Sequence, residues 1–263
     1  ARIEAGVGQP LFHRLPKGMA PTDAVRKLVA AGKRIFAELR HMEADLSALA
    51  GTQQGTVIIG ALPLGRTHIV PTAIAGTLSH LPKIRVRMVE APYDALVSGL
   101  AAGDIDIVFG ALRPQTPGLI TEALFSDRIG IMARAGHPLA SRAEIRLESL
   151  LNEQWILPRP DAPGRRVIDD SFAELGFSPP AASVETGDLA MVRQLLRSSD
   201  MLTAMSPRQL QVEIESGVVT ELPVALGRTT RRIGLTLREG ALLPPIAHAI
   251  LDAIRDQAKG GMG

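Results

Sequence analysis

The chain has 263 residues, 46% of them hydrophobic, with 29 Lys and Arg against 27 Asp and Glu for a formal charge of +2; this describes a globular protein of one or two packed domains, not a strongly charged one. It has no cysteine, which excludes disulfides, thiolate zinc sites and a Cys nucleophile and fits a reducing compartment; no structural metal and no cofactor are expected. The first residues lack an apolar signal region and no stretch reaches the ~18 uninterrupted apolar residues of a membrane span, so a cytoplasmic protein without a membrane partner is expected.

Residues 1 to 21 are dense in Gly and Pro, and Leu11-Phe12 and the piece around Met19, separated by Leu15-Pro16-Lys17-Gly18, predict a small hairpin. From Thr22 to Ala50 the apolar residues Val25, Leu28, Ile35, Leu39, Met42, Leu46 and Leu49, with Gly32 in one slot, fall at alternating spacings of three and four. Four such heptads keep a narrow stripe of helix facing a partner helix, so this segment is expected to dimerise. Thr22 is the expected N-cap and Gly51 the expected stop. Residues 1 to 54 carry eight basic side chains against five acidic ones, so the basic excess is N-terminal.

From Gly55 the pattern alternates strand and helix. Strands are predicted at 56–60, 84–89 and 104–109, with helices near 69–80 and 93–102. A second set follows, with strands at 129–133, 155–157, 183–185 and 202–204 and helices near 165–175 and 188–197. A strand at 231–237 and a helix from Pro245 to about Gln257 close the chain. Two such sets predict two α/β lobes with parallel sheets under helical cover, lobe I at about 55–125 and 226–263 and lobe II at about 126–225. The turn-rich stretches Arg113–Gly118 and Pro223–Arg228 are the expected crossings between them.

Gly60-Ala61-Leu62-Pro63-Leu64-Gly65-Arg66-Thr67 follows a strand and opens a helix, but Arg66 stands where a phosphate loop needs Lys, and Leu-Pro-Leu is poor at cradling phosphates. What remains is a strand end leading into a helix N-terminus, which suits an anionic or polar ligand and equally suits a plain turn. Further turns of this kind lie at 90–93, 157–161, 185–188 and 205–207, and ligands of open α/β sheets bind outside the carboxyl ends of strands. No G-x-S-x-G elbow and no H-x-x-x-H pair occurs, and the pairs Asp104/Asp106 and Asp169/Asp170 are expected to be met by solvent or a helix dipole. The chain is therefore not read as an enzyme.

The run Ile3-Glu4, Val7-Gly8, Leu11-Phe12, Arg14, then Gly18 and Pro21-Thr22, resembles the end of the winged helix-turn-helix of LysR-type transcriptional regulators, with Val25 replacing a usual Gly. The heptad helix is similar to that family's dimerising linker. Gly55-Thr56-Val57 with Ile59-Gly60, Leu100 to Asp106, and Gly136-His137-Pro138-Leu139 are similar to phrases of its periplasmic-binding-protein-like effector domain. The resemblance implies three parts: 1–21, the end of a DNA-binding unit whose base-reading helix is expected upstream; 22–51, the linker; and 55–263, a two-lobed effector domain. It implies a homodimer or homotetramer that binds DNA, a small organic acid, aromatic acid or sugar, and in some settings RNA polymerase. It places effector contacts at Pro63, Leu64, Gly65, Arg66 and Thr67, near Pro92 and Tyr93, and at Arg159, Asp161, Thr186 and Met205. His13, Arg14 and Lys17 of the wing would meet DNA phosphates. Two alternatives compete: a free-standing small-molecule-binding protein of the same fold, which the heptad helix opposes, and an enzyme on this scaffold, such as a deaminase of tetrapyrrole synthesis, which resembles chemistry needing a Cys-anchored cofactor.

Overall fold

The computed structural model describes residues 2–114, 116–160, 162–227 and 229–260. A short helix α1 (Arg2–Val7) precedes the hairpin β1 (Phe12–Leu15) and β2 (Gly18–Pro21), whose register pairs His13 with Ala20 and Arg14 with Met19. Thr22 then caps α2 (Asp23–Leu49): its hydroxyl oxygen accepts from the Val25 N–H and donates to the Leu11 carbonyl, tying the hairpin to the helix. Gly51 adopts a positive φ of 71° at the helix end, the left-handed stop that glycine allows.

Lobe I follows as β3 (Gly55–Ala61), a 3-10 turn at Pro63–Arg66, α3 (Ile69–His80), β4 (Ile84–Val89), α4 (Tyr93–Ala102), β5 (Ile107–Ala111) and β6 (Leu119–Asp127). Lobe II contains β7 (Gly130–Arg134), β8 (Trp155–Leu157), α5 (Pro163–Glu174), β9 (Ala182–Glu185), α6 (Leu189–Ser198), β10 (Leu202–Met205), a 3-10 turn at Pro207–Leu210, α7 (Gln211–Glu215) and β11 (Val219–Glu221). The chain returns to lobe I as β12 (Arg231–Arg238) and α8 (Pro245–Gly260).

Each lobe is built on a five-stranded sheet, in order β4-β3-β5-β12-β6 and β11-β7-β10-β8-β9. In lobe I, β3 runs parallel to β4 and β5, and the returning β12 is antiparallel to β5 and β6. Both sheet faces are covered. Ile59, Ile107, Phe109 and Leu235 pack with α3 and α8 on one side, and Ile58, Val108, Leu96 and Leu100 pack with α4 on the other.

Two expectations need correction. The chain crosses between lobes from Asp127 to Gly130 and again between Glu221 and Arg231, so 113–118 is no crossing; it joins β5 to β6 within one sheet. The strand β6 escaped prediction because Ile120 is exposed while Leu119 and Phe125 are buried, so its apolar residues do not mark one face. The second correction concerns Asp104 and Asp106. They lie in the turn before β5, where Asp104 pairs with Lys33 at 2.5 Å and Asp106 is buried rather than solvated.

Asp106 anchors α2 to lobe I. One carboxylate oxygen accepts from Arg40 Nη2 at 2.7 Å and lies 2.8 Å from His41 Nε2, and the other accepts from the Ile58 N–H at 2.8 Å. Around it Ala37, His41 and Ala44, one face of the helix, sit against the lobe. Gly103 permits this approach: it has φ 83°, and a Cβ there would lie 2.9 Å from the Ala37 Cβ. The opposite face of α2 is turned outward, with Leu28, Ile35, Leu39, Met42, Leu46 and Leu49 exposed and Val25 half-buried.

Candidate functional site

The strand ends of the two lobes face one another across a cavity of about 170 Å³. From lobe I come Leu62, Pro63 and Leu64 of the turn after β3, Ala111 of β5, and Arg231 and Ile233 of β12; from lobe II come Ile129, Pro158, Ala162, Thr186, Gly187, Val192, and the β10 segment Thr203–Met205 with Gln209 beyond it. The walls are mostly apolar, with a few polar groups to orient a guest, the usual make-up of a small-molecule site.

The 3-10 turn holds its place through Gly65. Its Cα lies against the Phe109 ring, where any Cβ would collide, and the Leu62 N–H donates to the Phe109 carbonyl at 3.0 Å. That close approach presents Pro63 and Leu64 to the cavity. On the lobe II side the Thr186 N–H donates to the Leu157 carbonyl at 2.9 Å, and Asp188 caps α6 by accepting from the Met191 N–H at 2.7 Å, so Thr186 is held at the cavity edge.

Of the residues the sequence singled out, Pro63, Leu64, Thr186 and Met205 line this cavity. Gly65 supports it from beneath. Arg66 and Arg159 do not line it: the Arg66 guanidinium pairs with Glu90 at 2.7 Å and Arg159 is exposed. Thr67 turns its hydroxyl onto the Leu64 carbonyl at 2.7 Å and borders a separate groove behind the turn. Pro92 precedes α4, and Tyr93 is buried with Arg113 over its ring at 4.1 Å, away from the cavity. Burial pushes the Tyr93 phenol above its ordinary range against the opposing effect of Arg113. Asp161 lies outside the described residues. His13, Arg14 and Lys17 are exposed on the hairpin.

Three polar residues of the cavity were not anticipated. Thr203 spends its hydroxyl on the Ile156 carbonyl at 2.8 Å. Gln209 follows the Met205-Ser206-Pro207 turn by two residues, and that turn was the available signal: Ser206 caps the 3-10 turn, accepting from the Arg208 N–H, and so aims the next residue inward. Arg231 donates from Nε and Nη2 to one oxygen of Asp127 at 3.1 and 3.0 Å, while Ser206 donates to the other at 2.6 Å. Asp127 thus joins β12 of lobe I to the β10 turn of lobe II. Among the described residues no group of three His, Asp or Glu side chains is arranged to hold a metal ion, and no helix is long and apolar enough to cross a membrane.

A model of the LysR substrate binding domain matches residues 50–259. The chain belongs to the LysR family. Its two-lobed effector domain has the periplasmic-binding-protein-like fold, and the relatives of this LysR chain are transcriptional regulators. It is 44% identical over 255 residues to the HTH-type transcriptional regulator GalR of Pseudomonas putida, covering 96% of this chain and 64% of GalR. The chain thus spans less than two thirds of that relative's length. Among solved structures it is similar to a full-length OxyR variant from Pseudomonas aeruginosa, with TM-score 0.70, 20% identity, and coverage of 98% of this chain and 82% of that one. It is also similar to the effector-binding domain of QuiR in complex with shikimate, with TM-score 0.65, 17% identity, and coverage of 79% of this chain and 98% of that one. At these identities the two structures speak to the fold alone.

Proposed function

We propose that this LysR-type chain senses a small metabolite in the interlobe cavity and passes the change in lobe geometry to a DNA-bound homo-oligomer that controls transcription. The observation that carries this reading is the cavity itself, whose walls come from strand ends of both lobes, so a guest there bonds to both and biases their separation. The docked α2 supports the second half: its inner face is fixed to lobe I by Asp106, while its exposed seam suits a second copy. The hairpin carries His13, Arg14 and Lys17 as phosphate contacts, and contact with RNA polymerase belongs to the same reading.

A thermal-shift screen against small acids and sugars tests it. A ligand at about a hundred times its dissociation constant adds ~2.7 kcal/mol. For a chain of this size that raises the melting temperature by roughly 5 to 10 °C. Turnover of a bound compound, or binding that survives Met205→Trp unchanged, would count against the reading.

A further inference from the structure

We infer that the two lobes tilt about a crease inside the lobe I sheet, a row formed by Gly110 of β5, Gly234 of β12 and Leu124 of β6, so that the sheet tip beyond this row travels with lobe II; this concerns how the lobes move and holds whatever the cavity binds. Gly110 and Gly234 face each other across β5 and β12. On its other side Gly234 pairs with Ala123 while the preceding Ile233 pairs with Phe125, which leaves Leu124 unmatched in the ladder, a β-bulge. Close approaches fix both glycines: a Cβ at Gly234 would collide with the Glu122 carbonyl, and one at Gly110 would lie 2.6 Å from the Leu62 side chain. The strand β3 stops at Ala61, opposite Phe109, so only β5, β12 and β6 continue past the row. All three are soft at the same level. Glycine has the widest choice of backbone angles, and a bulge interrupts the ladder and bends its strand, so the three strands can change direction together while the bonds between them persist on either side.

The tip beyond the row comprises Ala111 and Leu112, Phe125 to Asp127, and Arg231 to Ile233. It is bonded within itself: the Leu112 N–H donates to the Arg232 carbonyl at 2.9 Å, and the Arg231 guanidinium donates to Asp127. It is also bonded to lobe II. Ser206 donates to Asp127 at 2.6 Å, both residues being buried, the Arg208 guanidinium lies over the Phe125 ring, and Arg128, next in the chain, is paired with Glu221 at the end of β11. Buried hydrogen bonds to a charge are costly to break. The remainder of lobe I meets lobe II differently: its turn at Pro63–Arg66 packs on the turn at Pro207–Leu210 with no backbone hydrogen bond between them among the described residues. Packed surfaces can slide by small amounts where buried charge pairs hold. Phe125 and Ile233 stay in the lobe I core, which limits the motion to a tilt. Because Ala111, Arg231 and Ile233 line the cavity from the tip, that tilt carries them past Leu62, Pro63 and Leu64 on the fixed side.

The chain has no cysteine, so nitroxide labels can be placed in pairs on introduced cysteines without background, and distances between them read by double electron–electron resonance. Exposed positions serve: Arg232→Cys on the tip, Gln194→Cys on lobe II, and Ser79→Cys and Glu239→Cys on the fixed part of lobe I. The whole chain is labelled and diluted with unlabelled chain, so that only distances within one chain are read. The Ser79/Glu239 pair gives the width due to the labels themselves. The tip-to-lobe II pair, 232 with 194, is expected to be as narrow as that control, and the tip-to-body pair, 232 with 79, to be broader. A broad distribution for 232 with 194 places the hinge in the crossing segments and overturns the inference. A distribution for 232 with 79 as narrow as the control overturns it too, since the tip then does not move on lobe I. Deletion of Leu124 removes the unmatched residue and keeps both flanking pairings, and it should narrow the 232-to-79 distribution. An unchanged width in a folded deletion variant overturns the assignment of the row, and the labelled parent decides by itself where that variant does not fold.

Discussion

At Asp106 a single carboxylate decides how the long helix meets the effector domain. Burial opposes its ionisation, but the bonds from His41 and the Ile58 N–H and the charge of Arg40 outweigh that cost and hold its carboxyl below the ordinary range. The folded-state pKa is depressed relative to the unfolded chain, so the stabilisation is complete above the unfolded value of about 4 and is lost as pH falls through the lower folded value. Asp106→Asn should remove it at every pH and leave Arg40 and His41 without their anion. With the carboxylate 2% exposed and Arg40 25% exposed, a cost of roughly 2 to 4 kcal/mol is expected in urea melts at neutral pH. The difference between variant and parent should shrink below pH 4, and a pH-independent difference would sink the argument. Sequence reading placed this residue in solvent because alternation along 104–109 is compatible with either face being wet. The cavity was half legible for a related reason. Pro63, Leu64, Thr186 and Met205 follow strand ends, which sequence can locate, whereas Gln209 and Arg231 acquire meaning only when two lobes distant in sequence meet. Arg66 lies outside the cavity because Glu90 holds it, a partner that a sequence does not show, and Arg159 is exposed outside it.

At the scale of elements, α2 presents two different faces, and only one has a hydrophobic signature. The exposed face shows in the sequence as large apolar residues at heptad spacing; the docking face is written in Ala37, His41 and Ala44, small or polar residues that a periodicity count passes over. Leu39→Glu lies on the seam and should shift the parent oligomer toward monomer by light scattering while leaving the melting of lobe I intact. An unchanged oligomer would refute the seam. Gly103→Ala tests the other face, since it adds a Cβ at positive φ and within 2.9 Å of Ala37. It should cost about 1 to 3 kcal/mol, which calorimetric melting would register, and it should free α2 rather than dissociate the seam. The helices α3 and α4 and the strands β3 and β4 fell where their patterns put them because each buries its apolar residues within one lobe. The strand β6 did not, since its place in the sheet depends on the returning β12, more than a hundred residues later in the chain.

Over the whole molecule the contacts divide into a rigid part and a joint. Lobe I and α2 share Asp106, the Lys33–Asp104 pair and the Arg238–Glu38 pair at 2.6 Å, so they form one body. Lobe II meets that body through the crossing strands, where Arg128 and Glu221 clamp the two passages together, and through the Ser206–Arg208 turn, where Ser206 donates to Asp127 and the Arg208 guanidinium lies 5.0 Å from the centre of the Phe125 ring. The same turn presents Met205 and Gln209 to the cavity. In the proposed function a guest that moves this turn acts on the joint directly, and the body that responds carries the exposed apolar face of α2. Asp127→Asn should loosen the joint without damaging either core: it removes the charge that pairs Arg231 and weakens the bond from Ser206, both nearly buried. Hydrogen exchange should then quicken at Ser206–Gln209 and at the start of β12, while the amides of β3, β5 and β10 stay protected. Small-angle scattering should report a larger radius of gyration for the unliganded variant than for the parent. Equal exchange in both proteins at Ser206–Gln209 would show that Asp127 does not hold the lobes, and the coupling from cavity to seam would then need another route.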